Sequence, residues 1–159
     1  MSFRWLAIVA VLLLLNPIFS PAAEPEFRVI HTTQGSFADV KQGLELAITG
    51  RGLVISHYSD VGTMLSRTGE DVGSGREVYL DAGVIEFCSA VMSRKMMEAD
   101  PANLIFCPYA IAVYVRPEDP ETVYVAYERL SRAAAGGTTA LLEEVETLLE
   151  AIVQEGMAF

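Results

Sequence analysis

Residues 86–114, EFCSAVMSRKMMEADPANLIFCPYAIAVY, decide the fold of this chain and hold both of its cysteines. The apolar run from Val84 to Cys88 is typical of an inner strand, and a helix is expected to begin near Ala90. Asp100-Pro101 ends that helix, because the residue before a proline disfavours the helical conformation. The chain then returns as an apolar strand over 110–115, so the segment predicts a strand, a helix and a second strand.

After this segment, the sequence predicts a hairpin and a final helix. A turn at Arg116–Pro120 leads the chain back into a strand from Thr122 to Glu128. The last helix, over about 139–154, spaces its apolar residues for one face and most of its glutamates for the other. That apolar stripe is expected to be core or a dimer seam.

Upstream of the segment, two further strand and helix units are predicted. Alternating apolar and polar residues from Phe27 to Thr32 indicate a strand, and Ser36 caps an amphipathic helix over 37–49. Leu53 to His57 reads as a strand, after which Asp60 caps a short helix. The fold class is therefore a single small α+β domain, with a mostly antiparallel sheet in the order β-α-β-α-β-α-β-β-α covered by helices.

The first 22 residues have the features of a signal peptide. Arg4 precedes an unbroken apolar run from Leu6 to Leu15, and small residues precede a cleavage site after Ala22. A membrane-spanning helix needs about 20 apolar residues, and Asn16-Pro17 ends this run well short of that length. We therefore expect residues 23–159 to form one periplasmic or secreted domain, with no transmembrane anchor after cleavage.

The mature chain would be strongly acidic. It carries 10 basic and 21 acidic residues, a net charge of −11, because cleavage removes one arginine and no carboxylate. Nucleic acid is disfavoured as a partner, since phosphate binding depends on clustered Lys and Arg. Such a charge keeps an exported protein in solution, and it would also favour a basic partner protein or a cation.

Three short motifs near the cysteines are shared with a known family. They are Phe87-Cys88-Ser89 at a strand end, Met97 to Pro101 at a helix end, and Cys107-Pro108 before an extended stretch. Together with the order of elements over about 27–128, they resemble the family called domain of unknown function 302. Members are small α+β domains that often form dimers, so the resemblance implies this fold and a homodimer. It implies no activity, because the family has no general one.

The cysteines admit three interpretations, of which two involve a disulfide. In an oxidising compartment, Cys88 and Cys107 would form one bridge across 19 residues, which contributes on the order of 3 kcal/mol to stability. Such a bridge would brace a structural or interaction domain. Alternatively, the pair cycles in a small thiol-disulfide redox protein with a periplasmic redox partner protein, although the chain lacks the CxxC spacing that lowers a thiol pKa.

The third interpretation is a soft-metal site. If the helix starts one residue before the first cysteine, Cys88, Met92 and Met96 lie at i, i+4 and i+8, one above another. Thiolate and thioether sulfur suit copper(I). Cys107 and His57 complete the candidate ligand set.

A haem is the related alternative. It would be bound without covalent attachment, because no CxxCH motif is present, and its axial ligands would come from His57, His31, a Met or a Cys. The chain carries neither a nucleophile elbow nor a phosphate-binding loop, so we expect a non-enzymatic binding or accessory role. Arg94, in the only adjacent basic pair, is the candidate for binding an anion.

Overall fold

The computed structural model describes residues 27–133 and 138–158, and the predicted α+β class is confirmed. The predicted signal peptide lies outside these residues. Within them, no helix is both long and apolar enough to cross a bilayer. The elements follow the predicted order: β1 (Arg28–Gln34), α1 (Phe37–Thr49), β2 (Val54–Asp60), α2 (Val61–Thr68), β3 (Asp81–Cys88), α3 (Ala90–Ala99), β4 (Tyr109–Arg116), β5 (Asp119–Glu128) and α4 (Thr139–Gly156).

The five strands form one antiparallel sheet in the order β1-β5-β4-β3-β2. β3 and β4 lie side by side in its interior, and their register pairs Phe87 with Tyr109 and Ile85 with Ile111. All four of these side chains are buried. The strand–helix–strand segment identified in the sequence therefore places both of its strands inside the sheet.

Side-chain caps fix the starts of α1 and α2, as the sequence predicts. The Ser36 hydroxyl accepts a hydrogen bond from the Asp39 backbone N–H at 3.1 Å and donates one to the Asp39 carboxylate at 2.6 Å. The Asp60 carboxylate accepts from the Thr63 backbone N–H at 2.9 Å. Each cap satisfies a backbone donor that has no partner inside the helix.

Two local predictions need correction. The sequence predicts no element between α3 and the strand over 110–115, but Pro101–Phe106 form a 3-10 helix whose first turn is capped by the Asp100 carboxylate. β2 runs three residues past the predicted end at His57, because a bulge between Ile55 and His57 keeps its pairing with β3. An unpredicted 3-10 helix, Leu130–Ala133, follows β5.

The apolar stripe of α4 is core, packed against α1 and the sheet. Leu142, Val145, Leu149, Ile152 and Val153 are at most 1% exposed. At the end of α4 the two helices come so close that a Cβ on Gly156 would lie 2.8 Å from the Leu44 Cα. A residue without a side chain is therefore required at this contact.

We expect Gly156→Val to lower the free energy of unfolding by about 1–3 kcal/mol, because the added side chain overpacks a rigid core. Urea denaturation of the reduced protein measures the change. Gly75→Val is the matched control, since a Cβ at Gly75 has no neighbour within 4 Å. Equal stability of the two variants would contradict the close contact of α4 with α1.

Candidate functional site

The structure brings the two cysteines together. Cys88 is the last residue of β3, and Cys107 lies between the 3-10 helix and β4. Because Phe87 and Tyr109 are paired, these two strand ends are neighbours, and the two sulfur atoms lie 3.1 Å apart. Both residues are free cysteines and both are partly exposed. They form a dithiol that reagents from solution can reach.

Two hydroxyl groups adjoin the dithiol. The Ser93 Oγ lies 3.6 Å from the Cys107 sulfur, on the second turn of α3. Tyr109 is 2% exposed, and its hydroxyl has no hydrogen-bond partner with good geometry among the described residues. Burial raises the Tyr109 pKa to about 12; the nearby Ser93 side chain lowers that pKa, and the two thiols raise it. The hydroxyl therefore stays protonated at neutral pH.

Burial also controls the Cys88 thiol. Its pKa is raised to about 11, first by removal from water and then by the hydrogen bond and the charge of Cys107. A thiol must lose its proton to act as a nucleophile or to bind a metal. At neutral pH, Cys88 is therefore held as the unreactive thiol.

The predicted stack of Cys88, Met92 and Met96 along one helix is wrong. α3 begins at Ala90, because Ser89 is extended and caps the helix, with its side chain accepting a hydrogen bond from the Met92 N–H. Cys88 is thus in the strand. Met96 is fully buried in the core, and Met92 packs against it.

The other predicted ligands do not gather at the dithiol. His57 lies on β2, opposite Glu86 in the ladder. Across 27–133 and 138–158, no three His, Cys, Asp or Glu side chains are placed to hold a metal ion together. His31 Nε2 lies 2.9 Å from a Glu150 carboxylate oxygen, so this candidate haem ligand already has a partner.

Arg94, the candidate anion-binding residue, pairs with Glu98 one turn along α3 at 3.3 Å. This i,i+4 pairing is the arrangement that their spacing predicts. The Arg94 side chain is 78% exposed, and an exposed pair of this kind contributes little to stability. Its role toward an anion stays a prediction.

Sequence reasoning did not assign Tyr109 and Ser93 to the site. Tyr109 was missed because an aromatic residue in an apolar strand is ordinarily core, and its ring does pack in the core against Phe87. The available signal was its position two residues after Cys107. Ser93 carries no comparable signal, because its contact depends on where the chain returns after α3.

We expect the Cys88 thiol to resist alkylation until the pH approaches 11, whereas an ordinary cysteine ionises near about 8.5. The reason is that burial favours the uncharged form. The pKa of the Cys88 thiol is measured from the rate of its labelling by iodoacetamide in the reduced protein. Peptide mass spectrometry follows this rate between pH 6 and 11.5. The same peptide in unfolded protein is the control, and a midpoint below pH 9 in the folded protein would contradict the result.

Comparison with known proteins identifies the family. The model of the family described as "Domain of unknown function DUF302" matches residues 29–156. No curated protein matches the chain. The fold is similar to the crystal structure of an uncharacterized conserved DUF302 protein from Bacillus stearothermophilus, with a TM-score of 0.69, 13% identity, and coverage of 81% of this chain and 97% of that chain. Because the matched region takes in β1 to α4, this chain belongs to the DUF302 family.

Proposed function

We propose that this chain is an exported thiol-disulfide domain that exchanges electrons with a disulfide of a partner protein through Cys88 and Cys107. The observation that carries the proposal is the 3.1 Å separation of two free sulfurs at neighbouring strand ends. An S–S bond is about 2.05 Å long, so the sulfurs must approach by about 1 Å to form one. A side-chain adjustment covers such a distance without rearranging the sheet.

Export supports this function. The amino-terminal sequence has the charge and apolar run of a signal peptide. Disulfides form and persist in the periplasm and outside the cell, whereas cytosolic thiols are kept reduced. A partly exposed dithiol in such a compartment meets both oxidants and partner disulfides.

We infer that Cys107 makes the first attack, because the Ser93 hydroxyl lies 3.6 Å from its sulfur, whereas burial and the contact with Cys107 favour the protonated form of Cys88. The Cys107 thiol loses its proton to water, and its thiolate attacks one sulfur of the partner disulfide. The partner's S–S bond breaks, and its second sulfur leaves as a thiolate that takes up a proton. Cys107 is then joined to the partner in a mixed disulfide. We infer that the Tyr109 hydroxyl, which is buried without a well-aligned partner and whose pKa both thiols raise, turns to donate a hydrogen bond to the Cys107 thiolate before the attack.

Cys88 completes the exchange. In the mixed disulfide, Cys107 no longer carries a charge or a hydrogen-bonding thiol, so two of the three causes that raise the Cys88 pKa are removed. Burial, the largest cause, remains, so the Cys88 thiol gives its proton to water as its sulfur attacks the Cys107 sulfur. The S–S bond between Cys107 and the partner breaks, and the partner sulfur leaves as a thiolate that takes up a proton. The partner leaves as a dithiol, and Cys88 and Cys107 are left as a disulfide, so two electrons have passed to the partner.

Metal and haem binding are less well supported by the geometry. A tetrahedral ion needs two more ligands, and the described residues supply no third His, Cys, Asp or Glu beside the pair. Haem ligation by His31 would break its contact with Glu150.

We expect the Cys88–Cys107 disulfide to have a reduction potential above about −300 mV, the level below which stable structural bridges lie. The protein is equilibrated in glutathione and dithiothreitol buffers of known potential, and the loss of two hydrogens is read by mass spectrometry. Cys107→Ser should show no such loss. A potential below this level would make the bridge a brace, and a retained copper or haem mass would favour the ligand-binding alternative.

We expect Tyr109→Phe to slow the reaction of Cys107 with a small aromatic disulfide at pH 7 by about 5- to 10-fold, since a hydrogen bond to a charged group contributes about 1.5–3 kcal/mol and only part of this reaches the rate. The free energy of unfolding should not fall, because the lost hydroxyl has no partner in the reduced protein. Stopped-flow absorbance measures the rate. Tyr114→Phe, five residues further along β4, is the control, and equal rates in the two variants would remove Tyr109 from the mechanism.

A further inference from the structure

Within residues 27–133 and 138–158, most of the highly exposed apolar side chains lie on elements that adjoin the dithiol. Among the described residues, five large apolar side chains are more than 60% exposed. Four of them adjoin the cysteines and are here called the apolar rim, and the fifth is Val72, in the loop after α2. The rim consists of Val54 (70%), Val91 (67%), Leu104 (62%) and Ile105 (82%).

Each rim residue is placed by an element that also places a cysteine. Val54 is the ladder partner of Cys88 across β2 and β3. Val91 lies in the first turn of α3, two residues after the Ser89 cap that follows Cys88. The last two rim residues lie on the 3-10 helix, whose C-terminal residue precedes Cys107. Single exposed apolar residues are ordinary on a protein surface, but a group that surrounds a reactive pair marks an interaction site.

Charge limits what can dock there. The basic residues of α3 are already paired, Arg94 with Glu98 and Lys95 with Glu144, each at 3.3 Å. The chain as a whole carries a net charge of −10. An approaching segment is therefore favoured if it is apolar at its centre and basic at its ends.

We propose, resting on the thiol-disulfide function above, that the apolar rim is the docking surface for a partner protein that presents its exchanging disulfide in an apolar segment flanked by basic residues. Docking on the rim would bring the partner's sulfur to Cys107 and exclude water from the exchange. A small oxidant or a metal ion needs no such surface. The rim thus gives the dithiol a preference among disulfides that its sulfur chemistry alone does not supply.

The test compares two synthetic peptide disulfides with a small aromatic disulfide as substrates of the reduced, exported chain. One peptide surrounds its cysteine with Val and Leu and carries Lys at both ends, and the other replaces Val and Leu with Ser while keeping the Lys. We expect the apolar peptide to react at least tenfold faster, with a rate that falls as salt is added. The small disulfide reports the reactivity of Cys107 itself.

Ile105→Asn is the principal variant, and Val54→Thr is a second variant suited to a strand position. Each should reduce the preference for the apolar peptide to within about threefold and leave the rate with the small disulfide unchanged. Val72→Asn, which removes the equally exposed apolar residue outside the rim, should keep the full preference. Circular dichroism and thermal melting confirm that each variant is folded.

Equal rates with both peptides, while the small disulfide still oxidises the pair, would overturn the docking surface and leave the thiol-disulfide function standing. Failure of every disulfide to oxidise the pair would instead overturn that function. If the wild-type chain sediments as a dimer that Ile105→Asn dissociates, with no change in peptide preference, the rim is a contact between two copies and the proposal is wrong.

Discussion

The cross-strand pair of Phe87 and Tyr109 is the contact on which the rest of the site depends. Their rings pack edge to face, with centroids 5.9 Å apart, and both side chains are buried. Such a pair contributes about 0.5–1.5 kcal/mol beyond the burial of its apolar area. It fixes the register of β3 against β4 at the end where the chain leaves one strand and enters the other. Any slip of one residue would turn every side chain of these strands to the opposite face.

The reactivity of the dithiol follows from this placement. The residue after Phe87 is Cys88, which the adjoining core removes from water strongly enough to raise its pKa to about 11. The residue two before Tyr109 is Cys107, which is partly exposed like Cys88 but also lies 3.6 Å from the Ser93 hydroxyl. A single paired register therefore gives the two cysteines different neighbours. That difference supports an order of attack in the proposed exchange, in which Cys107 acts first and Cys88 resolves.

The fold was predictable from the sequence because its signals are local. Ser36 with Asp39 and Asp60 with Thr63 are within one helical turn of each other, so the starts of α1 and α2 can be read directly. The apolar periodicity of α4 likewise predicts that one face of this helix is buried, as the structure shows. The start of α3 near Ala90 was also predicted, but an earlier start at Phe87 stayed open, because Ser89 can either continue a helix or cap one. The choice depends on β3 extending to Cys88.

The candidate site was predictable only in part. Composition alone identifies the two cysteines as candidate reactive groups, since the chain has no other thiol. Their 3.1 Å separation does not follow from composition or spacing, because it depends on β4 pairing antiparallel with β3 after the intervening helices. The same pairing buries Tyr109 near enough to both thiols for them to raise its pKa. His57 lies on β2 opposite Glu86 of β3, and among the described residues no three His, Cys, Asp or Glu side chains form a metal site.

By itself, the sequence determined the elements, their order, the α+β class and the residues able to carry chemistry, because caps, turns and apolar periodicity act over a few residues. Only the tertiary structure decided which of those residues meet. Antiparallel pairing brings together two cysteines that are 19 residues apart in the chain. Burial at this place raises the pKa of the Cys88 thiol above its ordinary value. Contacts between distant residues, and the loss of water that shifts a pKa, arise only when the whole sheet has formed.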